Sequence, residues 1–418
     1  MKRPLVATLI IGFVVAGIIG ALHASGLLLR LELLAAELVP HHRTIARSVA
    51  GKWQYVFIVI LSLGVAGLTL TSSRRKQVGW LVLALLIELL GLCWICSLYR
   101  TFFQPLPSIF AVVLAFVVAE RSIAIARRTR SHLARSFFTG RLSNEQVDRV
   151  IAGEIPLDTK ARSCQATVVV CDIANKYDLA EDSDPVAFAE TTEKFIRRTT
   201  ELFLEAGGYI EAADGEGVVA IFGFPDGNAE HADKAVRVTL GLVQAFRDSR
   251  RQNNGNGELF GSCDMHLGVS SGTMIVAPLK DGERPGLLTS GEPVELARRF
   301  CVANRFYGSH ILIGPRTFEL ASKAIVARPI DFLSGVNKQE RHEIYEPLGL
   351  ATEAKPEHLA RRDSFWNGLV LYREKRWAEA YTEFQKARGP DAEDDAPLQL
   401  YLRRLEPLAL RLTETPSE

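Results

Sequence analysis

Two acidic side chains stand where they could do chemistry together. Asp172 closes the β-branched run ATVVVCDI at 166–173, and Glu216 follows the Asp214-Gly215 step inside GGYIEAADGEGVVAIFG at 207–223. Hard divalent cations take oxygen ligands, so a strand ending in one carboxylate beside a hairpin presenting another is an arrangement a Mg2+ or Mn2+ ion would use. An Asp-Gly step between apolar runs favours the φ > 0 turn that reverses a strand. The sequence therefore predicts strand, turn, strand, with Asp214 in the turn and Glu216 just past it. Each signal alone is common, because buried strands often end in Asp where the chain turns. Lys176, four residues after Asp172, reads either as a solvated loop lysine or as a phosphate contact.

The elements that must position these acids follow from the pattern of 166–348: strand, helix, hairpin, helix, strand, with helices expected at about 185–206 and 229–251. That order argues an α/β sandwich, with helices packed on a largely antiparallel sheet. Four further segments follow: SSGTMIV at 270–276, SGEPVELARRF at 290–300, YGSHILIGPRTFEL at 307–320 and HEIYEPLG at 342–349. In this order and spacing the chain from about 137 to 350 resembles the catalytic domain of class III adenylate and guanylate cyclases.

The resemblance implies a dimer whose active sites are each completed by both chains, a nucleoside triphosphate substrate (ATP or GTP), and two magnesium or manganese ions held by two aspartates. Asp172 matches the first aspartate, and Glu216 stands where the second would be. One extra methylene moves a carboxylate by about an ångström, a displacement that can cost on the order of a hundredfold in rate. The family's phosphate loop aligns with Ala174-Asn175-Lys176-Tyr177, which makes Ile173 and Lys176 the cofactor-binding candidates. The two positions that choose the purine carry Ala212 and Leu288, whose side chains make no hydrogen bond. The ribose-orienting Asn is Glu295, and the transition-state Arg matches Arg299. Positions i and i+4 share a helix face, so Glu295 is expected to pair with Arg299 and neutralise it. Lys338 is a loose candidate for the family's phosphate-binding lysine. Three positions eroded and two retained leave an enzyme, a pseudo-cyclase serving another cyclase as partner in a heterodimer, and a dimerising scaffold as the three readings.

The ends of the chain give the context. At 418 residues, with 48% hydrophobic content and a net charge of +1, the chain is long enough for two or three units. Nearly uncharged runs at 5–22, 55–71, 78–99 and 102–119 approach the roughly 20 residues that span a bilayer. Four membrane helices are expected in 1–120, making a multi-pass protein of the inner (plasma) membrane. Basic residues at 2–3, 74–76 and 121–130 place both ends in the cytoplasm. The external segment 22–52 is too short for a folded sensor, and 27–39 reads as an amphipathic surface helix. Glu88 reads as a hydrogen-bonded helix glue, and Cys93 and Cys96 as packing residues. Residues 121–160 read as a linker: a helix continuing from the last run, a break near Gly140, and a second helix capped by Ser143 with Gln146 completing a capping box. The cyclase-like domain is taken as 161–350. Beyond it, 360–412 resembles a single tetratricopeptide repeat carrying Gly368, Tyr372, Trp377, Ala380 and Phe384, which must dock to bury its face. A basic aromatic face is lacking, so nucleic acid is not an expected partner.

Overall fold

The computed structural model describes residues 2–28, 31, 32, 34, 47, 48, 51–72, 74–99, 101–156, 160–182, 184–252, 263–279, 286–337, 340–390 and 392–413. Lys338 and most of the expected amphipathic stretch at 27–39 lie outside these residues. The chain divides into two units, 1–131 and 132–418.

In the first unit the apolar runs become helices α1 (Lys2–Ala24), α2 (Gly51–Thr71), α3 (Arg75–Leu98) and α4 (Pro105–Phe138). Each is long and apolar enough to cross a membrane. Two short strands, β1 (Arg47–Ser48) and β2 (Thr101–Phe102), pair in parallel. Helices α1 and α2 pack through Val15, Ile19, Ile58 and Val65. Polar groups that apolar surroundings cannot solvate must find one another: Gln54 donates to the Gln104 carbonyl at 2.8 Å, and Gln104 donates to Glu32 at 3.0 Å. Glu88 is exposed on α3. Cys93 is buried and donates to the Phe103 carbonyl.

The second unit begins with the linker. After α4, Gly140 takes a φ of +76°, and α5 (Asn144–Ala152) starts at Ser143 with both halves of the capping box formed. The linker is bolted to the sheet that follows: the Arg141 carbonyl accepts the Ile210 amide at 2.8 Å, and Gln146 donates to the Gly207 carbonyl at 3.0 Å.

The sheet is built from β3 (Arg162–Ile173), β4 (Tyr209–Asp214), β5 (Gly217–Phe222), β6 (Met265–Leu279), β7 (Gly286–Ser290), β8 (Ile311–Ile313), β9 (Ile325–Ser334) and β10 (Arg341–Leu350). Its order is β4-β5-β3-β6-β8-β10-β9, with β7 pairing β6. Every pairing in it is antiparallel except β6 with β8. Strand β3 is central and buried on both faces, which its near-continuous apolar run requires. Val169, Cys171 and Ile173 join the core under α7 (Pro185–Glu205) and α8 (His231–Gln252), with Phe195, Phe203 and Phe246. Val168 and Val170 face the linker residues Phe138, Val147 and Val150.

Three shorter or later helices complete the domain: α6 (Lys176–Asp182), α9 (Glu292–Tyr307) and α10 (Pro315–Ala321). The C-terminal helices α11 (Pro356–Arg373), α12 (Trp377–Lys386) and α13 (Ala396–Thr413) share a core with the sheet side, in which Phe365, Phe384 and Tyr401 meet Phe300 and Ile330. Arg328 of β9 ties the two together, donating to Glu346 at 2.9 and 2.7 Å and to Asp395 at 2.7 and 2.6 Å.

Candidate functional site

Strand β3 delivers Asp172 one residue before its end, and the β4–β5 hairpin delivers Glu216. The hairpin closes flush on β3 because β5 pairs with it from Thr167↔Phe222 to Cys171↔Val218. Gly217 permits this. At its φ of +111° a Cβ would lie 2.1 Å from the Cys171 carbonyl oxygen, and such a backbone is open to glycine without steric cost. One detail corrects the expected turn. Asp214 is the last residue of β4, paired with Gly217, and Gly215 with Glu216 makes the turn. The Asp214 carboxylate accepts the Glu216 amide at 2.9 Å, a local bond of the Asx-turn type that draws Asp to such places.

Lys176, at the start of α6, sits between the two acids. Its ammonium is 3.3 Å from Asp172 Oδ2 and 3.1 Å from Glu216 Oε2. The lysine side chain is 14% exposed while that of Glu216 is 87% exposed. Burial pushes the Asp172 carboxyl above its ordinary range and outweighs the opposing effect of Lys176. Burial alone would lower the Lys176 pKa, but the hydrogen bond to Glu216 and the Asp172 charge reverse this and raise it. The lysine is therefore held charged.

These residues do not fit a resident divalent ion in this arrangement. Mg2+ demands a nearly octahedral set of oxygens at about 2.1 Å, whereas here the two carboxylates converge on a cation that the chain itself supplies. Ile173, a cofactor-binding candidate, gives its amide to Asp172 Oδ1 at 2.8 Å.

Arg299 lies on α9, which touches β6 backbone to backbone: a Cβ on Gly268 would be 2.0 Å from the Ala297 carbonyl oxygen. The expected i, i+4 pairing is present. Arg299 Nε donates to Glu295 Oε1 at 2.9 Å, and a terminal nitrogen donates to the Gly335 carbonyl at 2.7 Å. Beside it a cavity of about 350 Å³ is lined by Ser290, Gly291, Glu292, Glu295, Asn337 and Glu340. Three of those side chains are carboxylates, a wall that repels an anionic ligand. Glu292 and Glu340 also meet His342, with one ligand atom from each within 4.8 Å of the others. Sequence reasoning missed this group because Glu292 opens α9, while Glu340 immediately precedes β10 and His342 lies at its start, far along the chain.

Ala212 pairs with Val219 and Leu288 with Ala277, so the two positions expected to choose the base lie on β4 and β7. A bulge between Ile210 and Ala212 leaves Glu211 as the extra residue. It accepts a hydrogen bond from Thr289 Oγ1 at 3.2 Å, and its Oε2 is buried with no hydrogen-bond partner among the described residues. Each apolar position thus has a polar neighbour one residue away. That adjacency is visible in the sequence, but the bulge that brings the pair together is not. The remaining thiols are poor nucleophiles: burial pushes Cys301 up to about 12 and Cys263 up to about 11.

No family model matches the chain. A curated relative, adenylate cyclase 1 of Rhizobium meliloti (strain 1021), is 21% identical over 189 residues, covering 44% of this chain and 28% of that protein. The chain thus spans less than a third of the length of this curated relative. Among solved structures, the adenylyl cyclase CyaB from P. aeruginosa is similar at 20% identity and a TM-score of 0.40, over 47% of this chain and 98% of that one. The guanylate cyclase domain of RhGC from Catenaria anguillulae, solved with GTP, is similar at 20% identity and a TM-score of 0.39, over 45% and 99%.

Proposed function

We propose that residues 161–350 are a class III nucleotide cyclase homology domain, anchored by the helices of 1–120, whose own active site is closed. The chain then acts as a nucleotide-binding or regulatory partner of another cyclase chain in cyclic-nucleotide signalling. The order of motifs and the 21% identity to adenylate cyclase 1 support the class. Basic residues at 2–3, 74–76 and 121–130 support a multi-pass topology with the domain in the cytoplasm.

The observation that carries the closed site is Arg299. Converting a nucleoside triphosphate to a 3',5'-cyclic nucleotide and pyrophosphate builds negative charge on the transferring phosphoryl group, and preorganised donors stabilise it when they are aimed at it. Here the guanidinium gives its hydrogen bonds to Glu295 and to the Gly335 carbonyl. Glu295 adds an anion where negative charge would grow. A second reading, retained binding of a purine base, is favoured by the buried acceptor of Glu211 beside Thr289. The tail of 360–412 is a tetratricopeptide-like unit whose apolar face is spent on docking.

The test is cyclic-nucleotide production by the full chain in lipid nanodiscs with Mn2+ and ATP or GTP, alongside Asp172→Ala. No product from a folded sample is expected. Product that disappears in Asp172→Ala would sink the closed-site reading and establish a homodimeric enzyme.

A further inference from the structure

We propose that Lys176 is a built-in cation that takes the place of a divalent ion between Asp172 and Glu216, so that this acidic pair holds neither Mg2+ nor Mn2+ while the lysine is present. The inference deepens the closed-site reading above and rests on it for the identity of the two acids.

The geometry is that of a shared cation. The ammonium approaches both oxygens of Asp172, at 3.3 and 3.5 Å, and Glu216 Oε2 at 3.1 Å. An ammonium has three N–H donors and no acceptor, and these contacts direct it into the cleft between the acids. The local chain makes the position easy to reach. Lys176 follows β3 by three residues and opens α6, while Asn175 accepts the Asp264 amide at 2.9 Å and fixes the loop between them. The lysine stem is largely buried, whereas the Glu216 carboxylate stands in solvent. Of the three partners, Glu216 is therefore the one free to swing, and Lys176 with Asp172 forms the fixed part.

Charge arithmetic separates this from a metal site. Two carboxylates and one ammonium sum to −1, whereas two carboxylates and one divalent ion sum to zero. The lysine quiets the repulsion between the acids but leaves a net negative cleft, with no open coordination position for a phosphate oxygen or a hydroxyl. A metal ion would have to expel the ammonium into solvent first, which raises its apparent dissociation constant. Lys176→Met removes the charge and keeps much of the length, so it leaves the two acids facing each other with nothing between them.

The experiment is Mn2+ titration of the full chain in nanodiscs of zwitterionic lipid, followed by electron paramagnetic resonance of free Mn2+ and by the unfolding midpoint. Wild type, Lys176→Met and Asp172→Asn/Lys176→Met are compared, so that Mn2+ on other carboxylates, such as Glu292 and Glu340, cancels between samples. Lys176→Met should gain one site at least tenfold tighter than any Asp172-dependent site in wild type. The double variant should lose it, and Mn2+ should raise the midpoint of Lys176→Met alone. An Asp172-dependent Mn2+ site of equal affinity in wild type would overturn the proposal. So would a Lys176→Met protein, folded as judged by its midpoint, that gains no site. Neither readout depends on turnover, so a chain that makes cyclic nucleotide would refute the closed-site reading without deciding this one.

Discussion

Asp395→Ala tests how the C-terminal helices are held. The Asp395 carboxylate receives two hydrogen bonds from the Arg328 guanidinium, at 2.7 and 2.6 Å, and also accepts the Leu398 amide at 3.1 Å as a cap for α13. Arg328 is 6% exposed and lies 4.4 Å over the Phe365 ring. Breaking a buried charge pair by removing one partner costs about 3–5 kcal/mol, and the lost cap is contained within that range because the contributions are not additive. Glu346 remains on the arginine, which places the expectation near the lower end, about 3 kcal/mol. At 1.36 kcal/mol per tenfold, local opening of α13 becomes about a hundredfold more frequent. Hydrogen exchange by mass spectrometry on the full chain reads this directly, since opening of a local unit raises its amide exchange in proportion. Peptides covering 396–405 should accelerate about a hundredfold while those of β3 and β5 hold steady. Asp395→Asn, which keeps one acceptor, should fall between. Unchanged exchange in α13, or equal acceleration in β3, would refute the claim that this pair locks the tail to the sheet.

Other outcomes follow from the same contacts. Glu295→Gln should free Arg299 from its carboxylate and tighten binding of a non-hydrolysable triphosphate about fivefold, the size of a ~1 kcal/mol charge term at a solvated site; calorimetry checks it. His231 is buried and 2.7 Å from Thr167 Oγ1, and burial followed by the Arg316 charge lowers its pKa below 6.5. The unfolded chain then binds the proton first, so stability falls as pH drops below about 6.5, by at most about 1.4 kcal/mol per unit, and His231→Gln should flatten the urea midpoint between pH 7 and 5.5. Cys171, which is fully buried with its pKa raised by burial, and Cys301 should resist iodoacetamide at pH 7.5, with Cys164 alkylated before either; peptide mapping decides.

What the sequence disclosed depends on how far apart the cooperating residues are. The Ser143–Gln146 box and the Glu295–Arg299 pair are one helical turn long, so spacing alone revealed them. The buried character of β3 was legible because ATVVVCDI at 166–173 is a β-branched run with few polar residues. Neither reading of Lys176, solvated loop or phosphate contact, foresaw its contacts, because its direction depends on Glu216, forty residues later. Glu211 escaped because a bulge decides it, and bulges reflect how two strands settle against each other. The Arg328–Asp395 lock joins residues 67 apart, with no periodicity to announce it. Asp214 was assigned to the turn because Asp-Gly usually is one; the register of β4 with β5 moved the reversal one step along.

Gly217 decides how this cleft responds when its side chains change. Close main-chain contact at Gly217 sets the spacing of β3 and the hairpin, so the backbone beneath Asp172 and Glu216 is held even where the Glu216 side chain moves. Substitution of either acid therefore costs the fold little, since neither carboxylate supports that contact. A side chain at 217, by contrast, would meet the Cys171 carbonyl and push the hairpin off β3.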